Sequence, residues 1–171
     1  MNISLPAKSA AQIEIAFEVE DLALAEEVPN LPWQSWFQTW IAQLQPQRSP
    51  IGAYELGLRL TSDRQIQQLN SQYRSKDTPT DVLAFAALED SAPLVEELLA
   101  TQPLYLGDIV ISLETAAVQA AQHHSLRQEL AWLAAHGLLH LLGWDHPDEV
   151  QLEQMLTKQQ QLLQAIGMVS R

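Results

Sequence analysis

The sequence contains no cysteine, which excludes a disulfide framework and any thiolate zinc site. No apolar run reaches the ~18 residues of a membrane-spanning helix, so no membrane association is expected. The N-terminal segment MNISLPAKSAAQIEIAFEVE lacks a basic region leading into an apolar block, so no secretory signal is expected and the cytoplasm is the expected compartment. Basic residues are also scarce, 9 Lys and Arg against 21 Asp and Glu, for a net charge of −12. That balance excludes a general nucleic-acid coat, because phosphate binding is carried by Lys and Arg. No DNA partner is expected.

The few basic residues are unevenly placed. Arg48, Arg59, Arg64, Arg74 and Lys76 fall between positions 48 and 76, opposed there only by Glu55 and Asp63. The stretch is therefore net +3 and the rest of the chain carries −15. A basic face on an acidic body would guide RNA to one cleft and repel it elsewhere, with a solvated helix face of ordinary charge scatter as the equal alternative.

What the chain has is a regular succession of elements in 171 residues, a length that suits one domain. Ile13, Ile15, Phe17 and Val19 alternate with polar or small residues, as do Tyr54, Leu56, Leu58 and Leu60, giving two half-buried strands. Between them Trp33, Trp36, Phe37, Trp40, Ile41 and Leu44 repeat at helical spacing, with Asn30 as N-cap and Pro32 in the first turn. This stripe reads as core and not as a platform for stacking RNA bases. Ser62 and Gln65 form a capping-box pattern before a helix with Ile66, Leu69 and Tyr73 inward. The polar loop 74–80 leads to a third strand over 81–87, and an acidic insert follows with a short helix near 93–100. Leu104 to Ile111 reads as a buried strand, after which Ser112 and Glu114 open an alanine-rich helix. Ser125 and Gln128 open the next helix, running to Leu142 with Gly143 at its end, and Pro147 opens the last, closed by Gly167. Strands come early and helices late, which predicts an α+β layered domain.

The chemistry concentrates in HGLLHLLGWDH, residues 136–146. His136 and His140 are four apart on a helix, so both imidazoles project from one face. Gly143 lets the chain turn back, and His146 can then approach the same ion. The spacing reproduces the extended zincin pattern H-E-x-x-H-x-x-G-x-x-H. Three neutral imidazoles suit one zinc, with manganese, nickel or iron as less favoured occupants, and leave a fourth position open, as in catalytic sites. The glutamate that serves zincin peptidases as general base is absent, and Gly137 stands there. Asp145 is the candidate replacement or a partner to the ligands, with N-cap of the last helix as the alternative. Arg74, in a basic loop, is a candidate for clamping a phosphate, although on spacing alone an exposed helix-end arginine is the stronger reading. His123 and His124 lack ligand spacing and read as helix C-terminal residues facing the dipole.

The segment 136–146 resembles the H-G-x-L-H-L-x-G-aromatic-D-H signature of the YbeY family, metal-dependent endoribonucleases of ribosomal RNA maturation. LNSQYRSKDTPTDVLAFA (69–86) and LGDIVIS (106–112) agree with the same family in order and spacing. The resemblance runs from about residue 55 onwards, with the first 50 residues matching only loosely. It implies a single zincin-like α+β domain over 1–171, a small mixed sheet packed against helices, with the metal-site helix near the C-terminus. It implies one Zn2+ on His136, His140 and His146, and places the family's functional arginine on Arg74. The implied substrate is single-stranded RNA, and the implied partners are ribosomal RNA and the small ribosomal subunit. The implied role is 16S rRNA 3′-end maturation and ribosome quality control. Ala84 stands where family members commonly carry serine. A metallopeptidase of divergent mechanism and a non-catalytic zinc-containing assembly factor are the competing readings.

Overall fold

The computed structural model describes residues 10–20, 26–87 and 95–169. Four strands form one mixed sheet in the order β1-β2-β4-β3. They are β1 (Gln12–Val19), β2 (Ala53–Thr61), β3 (Val82–Ala86) and β4 (Leu104–Ser112). β1 and β2 run parallel, as do β2 and β4, while the short edge strand β3 pairs antiparallel with β4. The helices are α1 (Trp33–Leu44), α2 (Asp63–Arg74), α3 (Glu96–Leu99), α4 (Leu113–His123), α5 (Leu126–Leu141) and α6 (Glu149–Ala165). The expected α+β class and mixed sheet are what the chain adopts.

Along β4 the phase of burial switches, with Leu104 and Leu106 buried before the switch and Ile109 and Ile111 after it. The cause is an extra residue: Tyr105 to Asp108 on β4 opposes Glu55 to Gly57 on β2. Gly107 occupies the bulge at φ +130°, where a Cβ would collide with the Phe85 carbonyl.

The free edge of β1 is covered from α1. Gln38 and Gln34 accept from the Ile13 and Ile15 amides and donate to the Ala11 and Ile13 carbonyls. Side-chain amides thus satisfy a row of backbone groups that would otherwise template aggregation. The tryptophans of α1 are core, as expected: Trp33, Trp36 and Trp40 are all buried, and the Trp40 indole donates to the Leu162 carbonyl at 2.8 Å.

The main core lies between the sheet and the helices α1, α5 and α6, and α5 is its centre, with a run of buried residues from Glu129 to Ala135. On the opposite face Ile66 of α2 packs against Leu83 and Val110. α2, α4 and α5 begin at the expected serines, Ser62, Ser112 and Ser125, each accepting an amide hydrogen bond of the first turn. Ser125 and Gln128 form the complete capping box.

Several local expectations are corrected. Asn30 closes a 3-10 turn (Val28–Asn30), and Pro32 takes the N-cap position of α1. Tyr73 is 62% exposed and meets Phe85 edge-on, because it lies on the outer flank of α2. His123 ends α4 and His124 is its C-cap, as expected, and the His124 imidazole in addition pairs with the buried Glu129 carboxylate. The strand ends at Ala86, and the insert's helix is the short α3, with positions 93 and 94 outside the described residues. Among the described residues no helix is long and apolar enough to cross a membrane.

Candidate metal centre

α5 carries His136 and His140 one turn apart, and its C-terminus sets the third histidine. Gly143 adopts φ +91°. Its amide donates to the His140 carbonyl and the Trp144 amide donates to the Leu139 carbonyl, both at 3.0 Å. This crossed pair is a Schellman ending, and the left-handed residue it requires is the reason for glycine there. Arg48 reinforces the turn by donating through Nη2 to the Leu142 carbonyl. The chain then reverses, and His146 returns to the same place.

One ring nitrogen from each of His136, His140 and His146 lies within 4.8 Å of the other two. The two Nε2 atoms of His136 and His140 are 3.0 Å apart. Burial lowers the pKa of His136, and burial with the neighbouring rings of His136 and His146 lowers that of His140 to about 4. Both rings are therefore neutral at pH 7 and carry a lone pair each. Two facing lone pairs with a third alongside repel unless a proton or a cation lies between them. The donor set thus fits one metal ion.

Arg74 and Asp145 line the same cleft as the three histidines, a space of about 580 Å³. Arg74 ends α2, where Ser75 turns left-handed at φ +57°. The following loop is tied back to the helix: Asn70 donates to the Thr78 carbonyl and Gln67 to Asp77. A residue 62 positions before His136 is thereby brought to the histidines. Among the described residues Arg74 forms no ion pair. Asp145 does not cap α6, since Asp148 does so by accepting from the Gln151 amide. The Asp145 carboxylate instead accepts from the His146 amide at 2.8 Å.

The expected basic face is smaller than the charge count implied. Arg48 is spent on the α5 terminus and Arg59 on Glu20. Ala84 lines the cleft together with the histidines. Two neighbours escaped the sequence reading. Asp81 lines the cleft and its charge acts on His136. Gln159 of α6 is fully buried with its amide oxygen 3.2 Å from His136 Nδ1. Its signal was a polar residue on the stripe of Met155, Leu162 and Leu163, hidden in a run of glutamines.

Fold and site define a class: an α+β protein with a three-histidine centre on a buried helix and its C-terminal turn. The family profile of endoribonuclease YbeY matches residues 18–167, and the chain belongs to that family. The match reaches well into the N-terminal part, further than the sequence motifs alone indicated. An endoribonuclease YbeY of Synechocystis is 51% identical over 165 residues, covering 94% of this chain and 92% of the relative. One from Nostoc is 58% identical, covering 82% of this chain and 77% of the relative. A solution structure from Thermotoga maritima superposes with a TM-score of 0.56 at 25% identity, covering 90% of this chain and 89% of that one.

Proposed function

We propose that this chain is a zinc-dependent endoribonuclease that cleaves single-stranded RNA in the cytoplasm. Its substrate is ribosomal RNA of the small subunit, and its role is 16S rRNA 3′-end maturation and ribosome quality control. The observation that carries the reading is the meeting of Arg74 with the three-histidine cluster in one cleft of a YbeY-family chain.

His136, His140 and His146 would hold one zinc, which when bound supplies Lewis-acid chemistry for phosphodiester hydrolysis. Arg74 brings a guanidinium to the cleft, suited to gripping a phosphate and to stabilising the charge that develops on its oxygens. Asp145 uses Oδ1 to fix the His146 backbone and keeps Oδ2 for a proton that the reaction releases. A peptidase reading lacks support, because Gly137 packs directly on Ile109 and leaves no room for the zincin base. A purely structural metal is disfavoured by a donor set of three histidines at a cleft, where structural sites supply four ligands.

The test is a matched cleavage assay on single-stranded RNA and casein, with and without chelator. RNA cleavage that chelator abolishes, with casein untouched, is expected. Casein hydrolysis would support the peptidase, and neither activity would support the assembly factor.

A further inference from the structure

Gln159 sits on α6, 23 residues beyond His136, yet reaches it through the interior. Its side-chain amide spans two groups: the nitrogen is 2.9 Å from the Trp132 carbonyl and the oxygen 3.2 Å from His136 Nδ1. The chemistry of these neighbours decides which end of the amide faces which. A backbone carbonyl can only accept, so the Gln159 NH2 must face Trp132. The Gln159 carbonyl oxygen is then left for His136, and an amide oxygen can only accept as well. His136 Nδ1 must therefore carry the hydrogen. In a neutral imidazole the other nitrogen is then the bare one, and His136 Nε2 is the atom that meets His140 Nε2 at 3.0 Å.

We propose that Gln159 is a positioning residue for the metal centre: it fixes the tautomer and the ring angle of His136 so that Nε2 is presented to the ion. The inference rests on the reading that the three histidines hold a metal, and it does not depend on what that metal does to RNA. Ring partners of this kind hold ligating histidines in many metal sites, and losing one typically lowers metal affinity 10–100-fold. The arrangement is rigid because its anchor, the Trp132 carbonyl, belongs to the same helix as His136. α6 is thus bound to α5 one turn below the ligand, and Gln159 is shielded completely from water that could compete for either bond.

The test compares Gln159→Leu, which removes both hydrogen bonds, with Gln159→Glu, which keeps the acceptor facing His136 and loses the donor to Trp132. Zinc affinity is measured by competition with a chromophoric chelator, and thermal stability is recorded for each metal-free protein. The expected result is zinc binding weakened 10–100-fold in Gln159→Leu and kept within about threefold of the parent in Gln159→Glu, although both variants lose stability. Affinity that falls equally in both, in step with stability, would show that Gln159 only packs the core and would overturn the proposal. Should Gln159→Leu fail to fold, nitrogen-15 NMR of the zinc-loaded parent decides: Nδ1–H with Nε2 on the metal is expected, and the reverse tautomer would overturn it. Failure of RNA cleavage would contradict the proposed activity and leave these affinities and tautomers unaffected.

Discussion

Gly137 and Ile109 meet so closely that a Cβ on the glycine would stand 2.7 Å from Ile109 Cγ2. Ile109 is itself fully buried on β4, so it has nowhere to withdraw. The helix carrying the ligands is therefore seated on the sheet through a missing side chain, which explains the glycine where zincin peptidases have their base. Gly137→Ala should cost about 1–3 kcal/mol by overpacking, read as a lowered denaturation midpoint. Gly137→Glu restores the H-E-x-x-H pattern but should be less stable still, cleave RNA poorly, and gain no casein hydrolysis. Unchanged RNA turnover or casein hydrolysis in that variant would contradict this.

Arg74 should act on the phosphate and not on the fold. Arg74→Ala should shift stability by less than about 0.5 kcal/mol, since the residue forms no ion pair among the described residues. Single-turnover RNA cleavage should fall by one or more orders of magnitude, and Arg74→Lys should recover it only in part because the bidentate fork is lost. A wild-type single-turnover rate with only a higher RNA requirement would make Arg74 a docking residue.

Arg48 is expected to matter for stability although it is exposed. It donates to the Leu142 carbonyl beside the Gly143 turn that delivers His146. Arg48→Met should lose about 1 kcal/mol and weaken zinc binding, measured by urea unfolding and chelator competition. Unchanged values in both would show that the turn holds without it.

The metal-free protein should lose stability on mild acidification. Burial, with His136 and His146 nearby, lowers His140 to about 4, and burial lowers His136 too. Unfolded histidine titrates near about 6.5. Between those values the unfolded chain binds the extra proton, so stability falls as pH drops from about 6.5 towards about 4. Urea midpoints of the chelator-treated protein should follow this course, with a shallower fall in His140→Asn. Equal slopes in the two proteins would contradict it.

Local signals were the legible part of this chain. Ser62, Ser112 and Ser125 start helices through bonds from the amide three residues further on, and Gly143 ends one, so each is written within a few positions. The three histidines were readable for the same reason, being spaced along one helix and its turn. Contacts between distant elements were not. Arg48 and Arg59 looked like free charge because their partners lie 94 and 39 residues away. Gln159 looked like one glutamine among many until α6 was laid on α5. Asp145 and Asp148 lie on either side of His146 and Pro147, and only the path of the turn shows that the cap of α6 is Asp148.

The most direct measurement of the central claim is a zinc titration of the metal-free protein, with single-stranded RNA cleavage followed at each addition. Cleavage should be absent at the start, rise in proportion to zinc and break to a plateau at about one equivalent, as one three-histidine site requires. His140→Ala should stay flat throughout. Cleavage by protein verified to be metal-free, or an undiminished rise in His140→Ala, would contradict the assignment of the reaction to this centre.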